Sequence, residues 1–149
     1  MMPIADYHMH TPLCGHAVGK PEAYAAQAVK MGLQEIGFSD HAPLVTGPDP
    51  KITMSFKELP VYYQMIEEVQ AKFLGNLTIK VGLEADFIPG FEADTEEIIN
   101  DYPYDYVIGS VHYIGAWGFD CEEFLDEWDK RDVASVWADY GALVQEMEP

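Results

Sequence analysis

Short apolar runs rich in β-formers alternate with helix-like segments along the chain. The strand-like runs occupy residues 3–10, 33–41, 77–87 and 104–115. The helix-like segments between and after them occupy residues 21–32, 57–75, 92–101 and 120–149. Strands that alternate with helices in this way are typical of parallel βαβ units. The pattern therefore predicts an α/β fold built on a parallel sheet.

The second predicted helix, residues 57–75, has a repeating apolar position. Every fourth residue there is apolar, at Val61, Met65, Val69 and Phe73. This spacing predicts that these four side chains form the stripe that packs on the sheet. Residues 42–56, which precede the helix, contain three prolines and are predicted to form a loop.

Length and composition indicate one domain that extends over residues 1–149, with 48% hydrophobic residues to build its core. Eight Lys+Arg stand against 26 Asp+Glu, and the net charge of −18 disfavours a nucleic-acid partner. No apolar run approaches the ~20 residues of a membrane span, so no membrane partner is expected. The two cysteines form no CxxC motif, which fits a reducing compartment and predicts a cytoplasmic protein.

Polar residues that are unusual for apolar strands come at or just past the carboxyl ends of the predicted strands. They are His10, His41, Glu84 and His112, and His8 lies inside the first strand. Active sites of (β/α) barrels and of open parallel sheets lie at this edge. The placement predicts that these side chains meet in one site.

The opening histidines are candidate metal ligands. His8 and His10 are two residues apart on a strand, so they point to the same face and can bind one ion; neutral imidazole suits zinc, iron or manganese. Two ordinary polar residues near a turn are the alternative. His16 follows in a loop where Gly15 lets the backbone curl back toward the pair, although a surface histidine is the alternative there. For Cys14, a packed thiol is favoured over a fourth ligand.

Three carboxylates accompany these histidines. Asp40 precedes His41 and either supports a ligand ring or caps a helix or turn, and both interpretations stay open. Glu84 ends an apolar strand, where a carboxylate is costly unless it is paired or bound to metal. Its two oxygens can bridge two cations, and Asp86 is a weaker rival on the same face.

Four stretches carry a family resemblance: DYHMHTPLCGHA (6–17), GFSDHAP (37–43), VGLEADFIPG (81–90) and DYVIGSVHYIG (105–115). In order and spacing they resemble the motifs of the PHP (polymerase and histidinol phosphatase) superfamily, and within it the histidinol-phosphatase branch. The resemblance implies a distorted (β/α)7 TIM-like barrel. No histidine follows His112, and the family's later His and Asp-x-His are absent. The chain is therefore expected to be the N-terminal part of a PHP domain, with about the first four β/α units.

The resemblance also implies a cluster of up to three divalent metal ions, zinc, manganese or iron. It assigns His8, His10 and Glu84 to the first ion, His16 and His41 to the second, and His112 with a bridging Glu84 to the third. Glu84 and Asp40 are the implied catalytic residues. The implied reaction is hydrolysis of L-histidinol phosphate, a small phosphorylated substrate, in histidine biosynthesis. The chain itself is expected to be impaired by its missing ligands, and a homo-oligomer is left open.

Three alternatives remain beside this interpretation. One is another PHP-type phosphoesterase. Another is an amidohydrolase-type metal hydrolase, which also begins with HxH but would need a lysine that YVIGSVH lacks. The last is an inactive fragment that binds metal. The single arginine, Arg131, lies in an acidic segment and is interpreted as a solvated charge rather than a phosphate ligand.

Overall fold

The computed structural model describes residues 4–147. Its main sheet has four parallel strands in the order β1-β2-β3-β4: β1 (Asp6–Met9), β2 (Glu35–His41), β3 (Thr78–Asp86) and β4 (Tyr106–Ser110). The first three strands are each followed by a helix: α1 (Pro21–Met31), α2 (Leu59–Lys72) and α3 (Glu92–Asn100). The predicted α/β class with a parallel sheet is confirmed. The first residue of the first predicted strand, Pro3, lies outside the described residues.

The segment after β4 differs from its prediction. An antiparallel hairpin of β5 (Tyr113–Ile114) and β6 (Trp117–Gly118) follows, then a 3₁₀ segment (Glu122–Lys130) and helix α4 (Val133–Glu146). A single strand over residues 104–115 was therefore wrong, because the chain leaves the sheet after Ser110. The continuous helical tail was also wrong: Asp132 caps the start of α4, where its carboxylate accepts a bond from the Ser135 N–H. The last two residues of that predicted tail lie outside the described part.

Helix α2 packs on the sheet through a face that the predicted stripe captured only in part, at Val69 and Phe73. Its buried residues are Leu59, Tyr62, Ile66 and Val69. Val61, which the predicted stripe included, is 49% exposed and lies on the solvent side. A strict four-residue step drifts around a helix of 3.6 residues per turn, whereas alternating steps of three and four stay on one face.

The two faces of the sheet have different roles. Strands β2 and β3 pair without interruption from Glu35↔Thr78 to His41↔Glu84. Because side chains alternate along a strand, Phe38 faces the helices and contacts Tyr24 of α1. His41 and Glu84 face the opposite, concave side.

The sheet curls into a half-barrel whose floor is filled by Tyr106. This ring lies across β3 and β2, where Gly82 and Gly37 leave it room; a Cβ at either glycine would come closer than 3.0 Å to it. The Tyr106 hydroxyl donates to the carbonyl of Tyr7 on β1, at 2.6 Å, although β1 and β4 are at opposite edges of the sheet. In the described part of the chain, no helix is both long and apolar enough to cross a membrane.

Candidate metal centre

Four histidines converge on the carboxylate of Glu84. The Nε2 atoms of His8 and His10 lie 2.9 Å and 3.0 Å from its Oε2. His41 Nδ1 lies 3.5 Å from the same oxygen, and His112 Nε2 lies 3.6 Å from Oε1. Glu84 itself is only 3% exposed. The structure thus brings together five of the side chains that the sequence singled out.

The histidines keep Glu84 ionised. Burial by itself would raise the pKa of Glu84, but the hydrogen bonds from His10 and His8 and the charge interaction with His41 outweigh it and lower the pKa to about 2. At neutral pH the centre of the cluster is therefore an anion beneath a ring of imidazoles. That arrangement attracts a cation.

His41 has a neutral ring and a free nitrogen atom among the described residues, which suit a metal ligand. Burial lowers the pKa of His41 to about 4, although the charge of Glu84 opposes this, so the ring is neutral near pH 7. Among the residues that the structure describes, none hydrogen-bonds its buried Nδ1 atom. A neutral imidazole that is buried without a partner is costly. A metal ion would satisfy it.

His16 reaches the cluster through a tight loop. A 3₁₀ turn (Pro12–Cys14) ends at Gly15, whose φ of 81° is left-handed. The loop backbone at Pro50 packs directly against this glycine, closer than a Cβ would allow. The His16 ring then lies 5.2 Å from that of His41. The buried Cys14 thiol donates to the Thr11 carbonyl and its pKa is raised by burial, which fits a packed thiol.

Ligand-capable atoms of the described residues fall into four groups in which all members lie within 4.8 Å of one another. These groups are His8, His10 and Glu84; His10, His16 and His41; His10, Cys14 and Asp40; and His41, Asp86 and His112. Ligands at 2.0–2.1 Å from a tetrahedral zinc are about 3.3 Å apart, and the four histidine nitrogens nearest Glu84 lie 2.9–3.6 Å from its oxygens. The donor set therefore fits divalent metal ions. The grouping differs from the implied one, because His10 joins His16 and His41, and Asp86 stands beside His112.

Asp86 has a larger part in the site than its sequence position suggested. Its Oδ1 accepts bonds from His112 Nδ1 at 2.7 Å and from the His112 N–H at 3.2 Å. Burial alone would lower the pKa of His112, but Asp86, with Asp120 and Glu84, raises it to about 9. Asp120 lies 4.0 Å from His112 and was missed by the sequence reasoning, since no motif marks its loop.

Asp40 is placed as a support rather than as a cap. It lies inside β2, so neither a helix cap nor a turn describes it. Its Oδ2 accepts bonds from the N–H and hydroxyl of Thr11, and its Oδ1 accepts a bond from the His41 N–H. Burial raises the pKa of Asp40, and the bonds from Thr11 oppose that rise. Its catalytic role stays a prediction.

A cavity of about 790 Å³ opens beside the cluster. His16, His41, Asp86 and His112 line one side of it, and residues 44–53 and 120–124 contribute to the other. Lys51 is the one lysine or arginine among the described residues that line it, and it pairs with Glu123. Arg131 is not in this lining; its guanidinium lies over the Trp117 ring, 4.3 Å from the centroid.

A parallel half-barrel with histidines and carboxylates at its carboxyl-end rim defines a metal-centre protein of the (β/α) barrel class. Residues 6–146 match the PHP domain, and the chain belongs to this family. The family resemblance inferred from the motifs is thereby confirmed.

Two relatives illustrate the match. A Deinococcus radiodurans protein named "Probable histidinol-phosphatase" is 47% identical over 145 residues, which cover 97% of this chain and 56% of that protein. The histidinol-phosphatase of Lactococcus lactis is 34% identical over 110 residues, covering 74% of this chain and 39% of that protein. The chain thus spans about half the length, or less, of these curated relatives.

Solved structures confirm the fold. The histidinol phosphate phosphatase of Lactococcus lactis, solved with zinc, L-histidinol and phosphate, matches with a TM-score of 0.66 and 34% identity, over 74% of this chain and 41% of that one. A chain from Listeria monocytogenes matches with a TM-score of 0.69 and 26% identity, over 77% of this chain and 47% of that one. The half-barrel is therefore a PHP-type, TIM-like architecture.

Proposed function

We propose that the chain is the N-terminal part of a metal-dependent phosphomonoesterase that converts L-histidinol phosphate and water to L-histidinol and phosphate. The observation that carries this proposal is the convergence of His8, His10, His41 and His112 on the buried carboxylate of Glu84. The Lactococcus structure, which contains zinc, L-histidinol and phosphate, supports both the metal and the substrate.

The proposed ligands are the six residues His8, His10, His16, His41, Glu84 and His112, with Asp86 as an addition from the structure. Because imidazoles dominate the set, zinc or iron is favoured over manganese, and zinc is the metal in the Lactococcus structure. Divalent metal ions, when bound, act as Lewis acids and lower the pKa of a coordinated water toward ~7, so that a nucleophile is available at neutral pH.

The chain's own residues hold and orient this centre. Glu84 supplies the negative charge that balances bound cations, and its two oxygens face different histidines. Asp86 fixes the ring of His112 through Nδ1, which leaves Nε2 directed at Glu84. The cavity of about 790 Å³ is of a size that suits a small phosphorylated substrate. Lys51, the lysine in its described lining, is paired with Glu123 and would have to leave that pair to bind the phosphate.

We also propose that residues 1–149 form part of a PHP domain and that the chain associates with itself. In the described sheet, β1 and β4 each pair on one side only, so both are edge strands. Open edges favour pairing with another chain. The isolated chain is expected to bind metal incompletely and to show little or no phosphatase activity, because positioning groups from the remaining strands would be lacking.

A chimera tests the proposal. Residues 1–149 replace the matching segment of the Deinococcus relative, to which they are 47% identical. Phosphate release is measured with L-histidinol phosphate, p-nitrophenyl phosphate and a nucleotide, with and without zinc. We expect zinc-dependent release that prefers L-histidinol phosphate, and loss of release in the Glu84→Gln chimera. Equal release from Glu84→Gln, or a preference for the nucleotide, would refute the proposal.

A further inference from the structure

Strand β1 has an irregular register against β2. Asp6 pairs with Ile36 and Met9 pairs with Phe38, so three steps along β1 match two steps along β2. With an unbroken register from Asp6, His8 would pair with Phe38 and face the helices. The extra residue instead turns His8, and with it His10, onto the concave face where Glu84 lies.

Side chains from two other strands bond the backbone of this irregular stretch. The carbonyl of Tyr7, inside the bulge, accepts a bond from the Ser39 hydroxyl at 3.0 Å. It also accepts a bond from the Tyr106 hydroxyl at 2.6 Å. Two hydroxyls from two different strands, β2 and β4, therefore converge on the carbonyl that directly precedes His8. The ring of Tyr106 is itself fixed where it crosses Gly37 and Gly82.

The carboxyl end of β1 is held in a similar way. The described pairing between β1 and β2 stops at Met9↔Phe38, whereas β2 and β3 stay paired as far as His41↔Glu84. Beyond Met9, the carboxylate of Asp40 joins Thr11 to the backbone of His41. His8 and His10 thus lie between two side-chain attachments.

We propose that Tyr106 and Ser39 are positioning residues for the metal centre. By bonding the Tyr7 carbonyl they hold the register that directs His8 and His10 at Glu84, while His41 and His112 are positioned by other strands. This inference rests on the proposed metal binding, but it concerns residues that touch neither metal nor substrate.

The variants are Tyr106→Phe and Ser39→Ala, and Tyr104→Phe is the matched control. Among the described residues, nothing hydrogen-bonds the buried Tyr104 hydroxyl, so its loss should leave the metal centre unchanged. Ser39→Ala leaves the Tyr106 ring in place and keeps the test valid if Tyr106→Phe fails to fold. Each protein is titrated with Zn²⁺ while the side-chain nitrogen resonances of its five histidines are recorded.

We expect Zn²⁺ affinity reported by His8 and His10 to fall roughly three- to tenfold in Tyr106→Phe and Ser39→Ala, near the lower end of what an outer-shell loss costs. The affinity reported by His112 should stay within about twofold of wild type, since local changes act mainly on their own neighbours. Equal weakening at all five histidines, or none, would overturn the positioning role. If His8 and His10 of the wild type do not respond to Zn²⁺ at all, the metal site falls, and this inference with it.

Discussion

Strands β3 and β1 supply candidate ligands to the same cluster but are built in opposite ways. β3 is nine residues long, has a partner strand on each side, and delivers Glu84 at 3% exposure. β1 is four residues long, lies at the edge of the sheet, and delivers His8 with a side chain that is 51% exposed. The charged candidate ligand thus comes from a strand paired on both sides, and an imidazole comes from the edge strand. A carboxylate needs compensation when buried, whereas the half-exposed His8 ring can still bond water.

The largest expected effect is at the central strand. Glu84→Gln keeps the shape of the side chain but removes the charge on which four histidines converge. We expect Zn²⁺ affinity of the chain to fall by more than about a hundredfold, beyond the cost of losing an outer-shell partner. Competition with a chromophoric chelator measures it, and Glu96→Gln on the exposed face of α3 is the control. Retained affinity in Glu84→Gln would contradict the central position of this carboxylate.

The next effect concerns the Tyr106 ring, which lies over Gly82 of β3 and bonds the Tyr7 carbonyl of β1. A methyl group at Gly82 would meet the Tyr106 ring, so Gly82→Ala should lower the free energy of unfolding by about 3 kcal/mol, as overpacking does. Urea denaturation measures this. Gly141→Ala in α4, where a Cβ has no near neighbour, should instead raise stability by up to about 1 kcal/mol. A Gly82→Ala chain as stable as wild type would show that the ring moves freely.

The pH dependence of folding stability reports on His112, which follows the edge strand β4. The pKa of His112 is about 9 in the folded chain against 6.5 ordinarily, so its contribution is full below pH 6.5 and is lost as pH rises through 9. We expect the metal-free chain to lose about 3 kcal/mol of stability over that window, since each pKa unit corresponds to ~1.4 kcal/mol. Zn²⁺ affinity should rise over the same window, because metal competes with the proton. Asp86→Asn should flatten the stability profile, and an unchanged profile in that variant would count against the assignment.

The smallest effect concerns the open edge of the half-barrel. Val107 on edge strand β4 is 41% exposed. If chains pair through this edge, Val107→Lys should weaken self-association severalfold, because a lysine on an edge strand discourages pairing. Sedimentation over a range of concentrations measures it, with Val18→Lys, in a loop outside the sheet, as the control. A wild-type chain that stays monomeric throughout would refute the association.

The order of strands and helices followed from the sequence because strands and helices repeat their apolar positions with different periods. The predicted α2 stripe was right at Val69 but left out Tyr62. In the structure its ring is buried and its hydroxyl reaches the Phe38 and Gly82 carbonyls. A tyrosine can pack its ring in an apolar core while its hydroxyl hydrogen-bonds the backbone.

The organisation of β1 was beyond sequence reasoning. A register shift of one residue leaves no periodic mark in a four-residue strand, so the bulge and the bonds from Ser39 and Tyr106 could not be foreseen. A signal did exist for the filled floor. Glycines at 37 and 82 interrupt apolar strands, and glycine inside a strand often marks a close approach. Their partner, Tyr106, lies within the DYVIGSVHYIG stretch but was not itself singled out as a candidate residue.

The contact between Gly15 and the carbonyl of Pro50 restricts how this protein can evolve. Position 15 excludes any side chain for two separate reasons, its left-handed φ of 81° and the backbone packed against it. The loop that lines the cavity is therefore tied to the loop that carries His16. An insertion in residues 42–56 that lifts Pro50 would also release the loop that carries His16, so the cavity wall and His16 cannot move independently. The two loops would have to change together.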